Sequence, residues 1–224
     1  MSENNTGNVG LKILQPKVDV AFKRLFGDER NIGIITDFVN SVLTLSEDEY
    51  KMVTIEDVRL EGEISADRLG VVYVKLTLRS GKVIFVEMWM MKRVDAPEKA
   101  VLYYHSQLVS QLESGDDYYK LKKIISIAIS ADFEITKGSP EYHNTFQWMS
   151  DDGVKLSDAI PDMTETEIHT LELHKLPEQS DGTAIYDWLR FLKMEREEEF
   201  DILADRSKAI KEAVDELKRL SQEK

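Results

Sequence analysis

Glu87 is the only carboxylate in an otherwise apolar run, Val83-Ile84-Phe85-Val86-Glu87-Met88-Trp89. An ionised side chain inside an apolar strand is unfavourable unless it is paired, hydrogen-bonded or bound to a cation, so Glu87 is the first candidate for chemistry. At the two-residue period of a strand it shares a face with Phe85 and Trp89. Asp19 is a second acidic candidate, although a carboxylate in the first turn of a helix also serves the helix dipole. Lys17, Lys23, Arg24, Lys92, Arg93, Lys122 and Lys123 form a phosphate track if folding aligns them beside Glu87, and a solvated surface otherwise. His105, His143, His169 and His174 show neither His-x-His nor His-x-x-x-His spacing, so a zinc site is not expected. The sequence holds no Gly-rich phosphate loop and no Gly-x-Ser-x-Gly elbow.

The elements that position these residues follow from periodicity. Val72, Val74, Leu76 and Leu78 alternate with Tyr73, Lys75, Thr77 and Arg79, and alternation resumes after Ser80-Gly81 with Ile84, Val86 and Met88, as in a half-buried hairpin. A two-residue Ser80-Gly81 loop would set Val74 against Glu87 and mix the faces. A three-residue loop, Arg79 to Gly81 with Gly81 left-handed, pairs Leu78 with Lys82, Val74 with Val86 and Tyr73 with Glu87. The second register keeps one face apolar and is the one predicted. A hydrogen bond from the Tyr73 hydroxyl is then one partner for Glu87, and a metal ion the other.

Upstream, spacing predicts a helix over residues 16–26 with Lys17, Lys23 and Arg24 on its exposed side, a second over about 31–43, and a strand over 52–61. Downstream come a helix over about 97–113 and a nearly continuous apolar run at 123–131, as in a strand buried on both faces. That order makes a βαβ unit, which puts 123–131 at the centre of the sheet and parallel to 83–90. Residues 142–149 and 166–173 read as further strands, and 184–193, 195–204 and 208–220 as closing helices.

Composition bounds the rest. A chain of 224 residues with 42% hydrophobic and 32% charged residues has the make-up of one ordinary globular domain, here placed at 10–224. The small polar stretch at 1–9 is expected to be disordered. No apolar run reaches the length of a membrane span, and the N-terminus lacks a signal peptide's basic and apolar regions. With no cysteine there are neither disulfides nor thiolate metal sites, in keeping with a cytoplasmic location. The net charge of −13 requires any nucleic-acid surface to be a local basic strip. Residues 151–181 hold nine acids against two lysines, which removes much of the negative charge from the hairpin.

The succession helix, strand, hairpin, helix, buried strand, with a carboxylate in the third strand, resembles the PD-(D/E)XK nuclease superfamily, and within it the recombination-promoting nuclease and transposase branch. The residues that carry the resemblance are Pro16 with Asp19-x-x-Phe22-Lys23-x-x-Phe26-Gly27, then Gly81 through Glu87, then Tyr103-Tyr104 and Ser114-Gly115-Asp116-Asp117-Tyr118. They continue with Tyr142-His143-Asn144-x-Phe146, Glu167-Ile168-His169-Thr170-Leu171-Glu172-Leu173-x-Lys175-Leu176-Pro177, and Asp187-Trp188-Leu189-Arg190-Phe191-Leu192. The likeness runs from about Leu11 to the C-terminus. Members of this branch often continue into a long charged helix, so the chain is expected to be a shortened form.

The resemblance implies an α/β fold with a restriction-endonuclease-like αβββαβ core, a mixed central sheet and a helical C-terminal segment, 184–222. In that superfamily an Asp on the second strand and a Glu on the third hold a divalent cation, usually Mg²⁺. The cation activates water against a DNA phosphodiester, and a Lys, or in this branch a Gln, orients the nucleophile. Glu87 matches the metal-binding Glu, while the residues themselves offer Asp19 as a candidate further acid and Lys17, Lys23, Arg24, Lys92 and Arg93 as candidate DNA contacts. The Asp position is Tyr73 and the Gln position is Trp89. Tyrosine brings no charge at neutral pH, and an indole donates without accepting. The centre therefore reads as an aromatic pocket of Phe85, Tyr73 and Trp89 around one acid, and hydrolysis is expected to be absent or impaired. Natural degeneration and deliberate substitution would both leave this pattern. The other readings are a non-catalytic nuclease fold that binds nucleic acid or a protein, as monomer or homo-oligomer, and a site that holds an apolar or aromatic small molecule.

Overall fold

A computed structural model of the chain describes residues 13–50, 53–56, 71–90, 108, 110–117, 120–159 and 166–223. The stretch 1–9, most of the helix predicted over 97–113, the far part of the 52–61 strand, and Lys92, Arg93, Tyr103, Tyr104 and Tyr118 lie outside these residues.

Six strands form one mixed sheet: β1 (Val53–Glu56), β2 (Val71–Leu78), β3 (Val83–Trp89), β4 (Ile124–Ser130), β5 (His143–Phe146) and β6 (Thr166–Glu172), in the spatial order β1-β2-β3-β4-β6-β5. The first three pair antiparallel, β3, β4 and β6 run parallel, and β5 closes the far edge antiparallel to β6. The predicted centre is borne out: β4 is buried along its whole length between two parallel neighbours. Its Ile124-Ile125-x-Ile127-x-Ile129 pattern suits a strand with no solvent face.

The hairpin also has the predicted register. Val74 pairs with Val86 and Tyr73 with Glu87. The Leu78 N–H donates to the Lys82 carbonyl at 2.9 Å and the Gly81 N–H to the Leu78 carbonyl at 2.8 Å. Gly81 has φ +82°, and a Cβ there would lie 3.0 Å from Lys122 Cγ, so glycine answers both a left-handed backbone and a close neighbour.

One face of the sheet carries the main core: Val74, Leu76 and Leu78, then Ile84, Val86 and Met88, then Ile125, Ile127, Ile129 and Leu171. Helices α1 (Asp19–Phe26), α2 (Ile32–Leu43), α3 (Ala184–Lys193), α4 (Glu197–Ala204) and α5 (Lys208–Gln222) bury their apolar stripes in the same cluster. Phe26, Phe38, Trp188, Phe191 and Phe200 link the helices by a chain of tilted and edge-on ring contacts with centroids 5.6–6.1 Å apart. Thr183 caps α3 through the Tyr186 N–H, and Ser207 caps α5 through the Ile210 N–H. No helix among the described residues is long and apolar enough to cross a membrane.

Some boundaries differ from expectation. The first helix begins at Asp19, with Val18 in extended backbone as its N-cap. Pro16 and Lys17 therefore precede it and are buried. Residues 110–113 lie outside any helix, Ser110 and Gln111 belonging to a turn closed by the Gln111 N–H to the Leu108 carbonyl. The strand expected over 142–149 ends at Phe146, because Trp148 to Leu156 fold into a separate exposed hairpin.

Candidate functional site

Strand alternation turns Phe85, Glu87 and Trp89 to the face away from the helices α1–α5, since Ile84, Val86 and Met88 occupy the helical face. The register lines up one row across the sheet: Tyr73, Glu87, Ala128, Thr170 and Asn144. Glu87 is buried, 4% exposed. Its Oε2 accepts a hydrogen bond from Trp89 Nε1 at 2.8 Å. Phe85 is packed with Ile124, Val83 and Leu108, and Trp89 with Ala128, Phe133 and Ile135. The carboxylate thus sits between two apolar clusters and faces an indole N–H two residues along its own strand.

The wall beside Trp89 is itself anchored. Glu172, fully buried on β6, accepts the backbone N–H groups of Ile135 at 3.0 Å and Thr136 at 2.9 Å and meets Lys175 Nζ at 3.1 Å. Lys175 also donates to the carbonyls of Thr136 at 3.0 Å and Ser139 at 2.8 Å. Thr136 and Thr170 share a hydroxyl hydrogen bond at 2.8 Å. These contacts hold the loop that presses Phe133 and Ile135 against Trp89.

The family model of a PD-(D/E)XK nuclease family transposase matches residues 16–224 of this sequence. The chain belongs to that family. No curated protein and no solved structure matches it. The six-stranded mixed sheet with its helices is the restriction-endonuclease-like arrangement that the family uses.

The PD-(D/E)XK family generally uses a divalent metal, and among the described residues the donors around Glu87 do not fit one. Mg²⁺ wants an octahedron of hard oxygens, commonly two carboxylates with waters and substrate phosphate. Row neighbours of Glu87 are Ala128 and, by register, Tyr73. One carboxylate oxygen, Oε2, already accepts the Trp89 N–H. Among the described residues no group of three or more His, Asp or Glu side chains could hold a metal ion.

The other predicted site residues fall elsewhere. Asp19 is exposed at the start of α1, whose buried residues Ala21, Phe22, Leu25 and Phe26 pack on the sheet face opposite Glu87. Lys17, expected on an exposed helical side, is 7% exposed and meets Glu195 at 3.4 Å. Its place before the helix turns it inward. Lys23 is exposed on α1, and Arg24 pairs with Glu223 at 2.8 Å. Lys123 pairs with Glu167 at 2.7 Å.

Sequence reasoning missed a second polar cluster, on the helical face at the β6–β5 edge. Glu167 Oε1 meets His169 Nε2 at 2.7 Å, and His169 Nδ1 meets His143 Nε2 at 2.9 Å. Thr145 Oγ1 lies 3.2 Å from the same Nδ1, and Gln147 Nε2 donates to Glu167 Oε2 at 2.7 Å. Ring centroids 5.2 Å apart match the nitrogen separation plus two ring radii, so the imidazoles meet nitrogen to nitrogen in a hydrogen bond. The His169 hydrogen bond, with help from Lys123 and Gln147 and against the effect of burial, holds the Glu167 pKa well below the carboxylate range. Burial, and then the neighbouring His169, push the His143 pKa down to about 4. The available signal was Glu167-x-His169, two polar residues on one face of a strand that leads into a buried Leu-Glu-Leu.

Proposed function

We propose that this chain is a non-cleaving member of its nuclease family, which contacts DNA through the family fold without hydrolysing it. The observation that carries this reading is the 2.8 Å hydrogen bond from Trp89 Nε1 to Glu87 Oε2 in a buried, aromatic-lined position. Loss of a preorganised charge-stabilising group removes about two or more orders of magnitude from such reactions, and here both the second acid and the water-orienting residue are replaced. Contact with DNA is carried by family membership, and the net charge of −13 makes it a local and salt-sensitive interaction.

The test is nicking of supercoiled plasmid with Mg²⁺ or Mn²⁺. The unmodified chain should give none. Tyr73→Asp together with Trp89→Gln should restore nicking, Glu87→Ala added to that pair should abolish it again, and either single reversion should stay poor because the two parts act as a unit. Metal-dependent cleavage by the unmodified chain, lost on Glu87→Ala, would overturn the reading. For the DNA contact, fluorescence anisotropy with a labelled duplex should show binding at low salt that weakens steeply as salt rises. No binding at low salt would remove DNA as the partner.

A further inference from the structure

The large apolar side chains exposed among the described residues are Val18, Val20, Tyr50, Phe146, Trp148, Met149, Val154 and Ile202, and half of them crowd between 146 and 154. This stretch continues from β5, the outermost strand of the sheet, as a small hairpin. Met149 bridges Lys155, the Ser150 N–H donates to the Val154 carbonyl at 2.9 Å, and the Leu156 N–H to the Trp148 carbonyl at 2.9 Å. The tip is a turn with Gly153 at φ +79°, where the Gly153 N–H donates to the Ser150 carbonyl and the Val154 N–H to Ser150 Oγ. Gln147 fastens the base to Glu167. The tongue is thus a built element with its backbone bonds made, and ordering it on binding costs little.

Its chemistry points to one kind of occupant. Tryptophan, methionine and phenylalanine are the residue types of interface centres, and Trp148 stands 57% exposed. The tongue and its base, 147–159, carry Asp151, Asp152 and Asp158 against Lys155, on a chain whose net charge is −13. Nucleic acid and a second copy of the chain would each bring further negative charge to this rim, whereas a basic protein surface complements it. We infer that the 147–159 tongue docks into a protein partner that offers an apolar pocket to Trp148 and Met149, framed by lysine or arginine side chains.

Of the three tryptophans, Trp89 and Trp188 are buried, so Trp148 reports on the tongue by its quenching with acrylamide. A phage-displayed random peptide library panned on the full chain, with the Trp148→Ala variant as counter-selection, should enrich sequences that place Lys or Arg around a bulky apolar residue. Synthesised, these peptides should shield Trp148 from acrylamide and lose tenfold or more in affinity against Trp148→Ala. Asp151→Asn with Asp152→Asn should weaken them and flatten their salt dependence. Circular dichroism checks that the variants stay folded. The inference is overturned if no enrichment depends on Trp148 or if selected peptides bind Trp148→Ala equally well. It is also overturned if sedimentation shows a dimer that Trp148→Ala dissolves, which would make a second copy the occupant, or if a single-stranded oligonucleotide alone shields Trp148.

Discussion

The bond between Trp89 and Glu87 makes a quantitative prediction about stability. Replacing Trp89 with Phe keeps an aromatic ring against Ala128, Phe133 and Ile135 but removes the N–H that Glu87 Oε2 accepts at 2.8 Å. A hydrogen bond to a charged group contributes about 1.5–3 kcal/mol net, and the smaller ring forfeits about 1 kcal/mol of packing. Trp89→Phe should therefore destabilise by about 2.5–4 kcal/mol, a fall in midpoint temperature of roughly 5–15 °C for a chain of this size. In a Glu87→Met background the carboxylate is gone, so the same change should cost only about 1 kcal/mol. The coupling in this double-mutant cycle is then about 1.5–3 kcal/mol. Urea unfolding followed by far-ultraviolet circular dichroism reads all four proteins without relying on the tryptophan signal. Equal costs of Trp89→Phe in the two backgrounds would refute the claim that the indole holds the buried charge.

Three further outcomes are expected. Because the His143 pKa is lowered to about 4 from an ordinary 6.5, the unfolded chain takes up the proton first; stability should fall as pH drops from about 6.5 to 4, by on the order of 1–2 kcal/mol because solvent screens the half-buried ring. The lowered Glu167 pKa adds loss of the same sign below the ordinary carboxylate range, and His143→Gln should flatten the upper part of the curve in urea titrations at several pH values. Glu172→Ala strips the buried partner of Lys175 and of two backbone N–H groups, and should cost about 3–5 kcal/mol while making Trp89 more quenchable by acrylamide in a Trp148→Ala background. Trp188→Ala removes the ring that touches Phe26, Phe38 and Phe191 and donates to Asp37, and should cost about 3–5 kcal/mol in the same denaturation assay.

The hairpin and the central strand were legible because their information is local. Alternation decides which residues share a face, and a glycine at the loop selects the register that keeps Val74 against Val86. A nearly continuous apolar run such as Ile124–Ser130 suits a strand buried on both sides, as this one is. The position of Glu87 opposite Tyr73 followed from those two facts, but its bond to Trp89 did not. Side chains two apart on a strand point the same way, and whether the indole turns toward the acid depends on Phe133 and Ile135, more than forty residues downstream. His143 and His169 were illegible for a related reason. They lie 26 positions apart and meet only because β5 returns antiparallel beside β6, a pairing that no local pattern announces. The expected 142–149 strand ran too far for the opposite reason: Trp148 and Met149 continue its pattern, yet they lie exposed beyond its end at Phe146.

The division of each strand between two faces also explains how the fold tolerates changes at positions 73 and 89. The stabilising cluster that joins β2, β3, β4 and β6 to α1–α5 uses Val74, Leu76, Ile84, Val86, Met88, Ile125, Ile127, Ile129 and Leu171. None of these side chains shares a face with Glu87, because successive residues of a strand point to opposite sides. The register that aligns residues 73 and 87 is set by that helical face and by the Arg79–Gly81 loop, so it is indifferent to whether position 73 is Asp or Tyr. Two carboxylates held side by side repel unless a cation joins them or one takes up a proton, whereas Glu87 accepts an indole N–H at 2.8 Å. On the proposed reading, Tyr at 73 and Trp at 89 exchange a metal-dependent arrangement for one built on the Trp89–Glu87 bond while the family's sheet stays in place. The same logic sets the order in which the centre can be rebuilt. Tyr73→Asp alone places a second charge beside Glu87 with Trp89 still against it, and should lower stability before it confers any activity. Trp89→Gln must accompany it to make room for the cation, so a single Tyr73→Asp variant more stable than the unmodified chain in metal-free buffer would contradict this account.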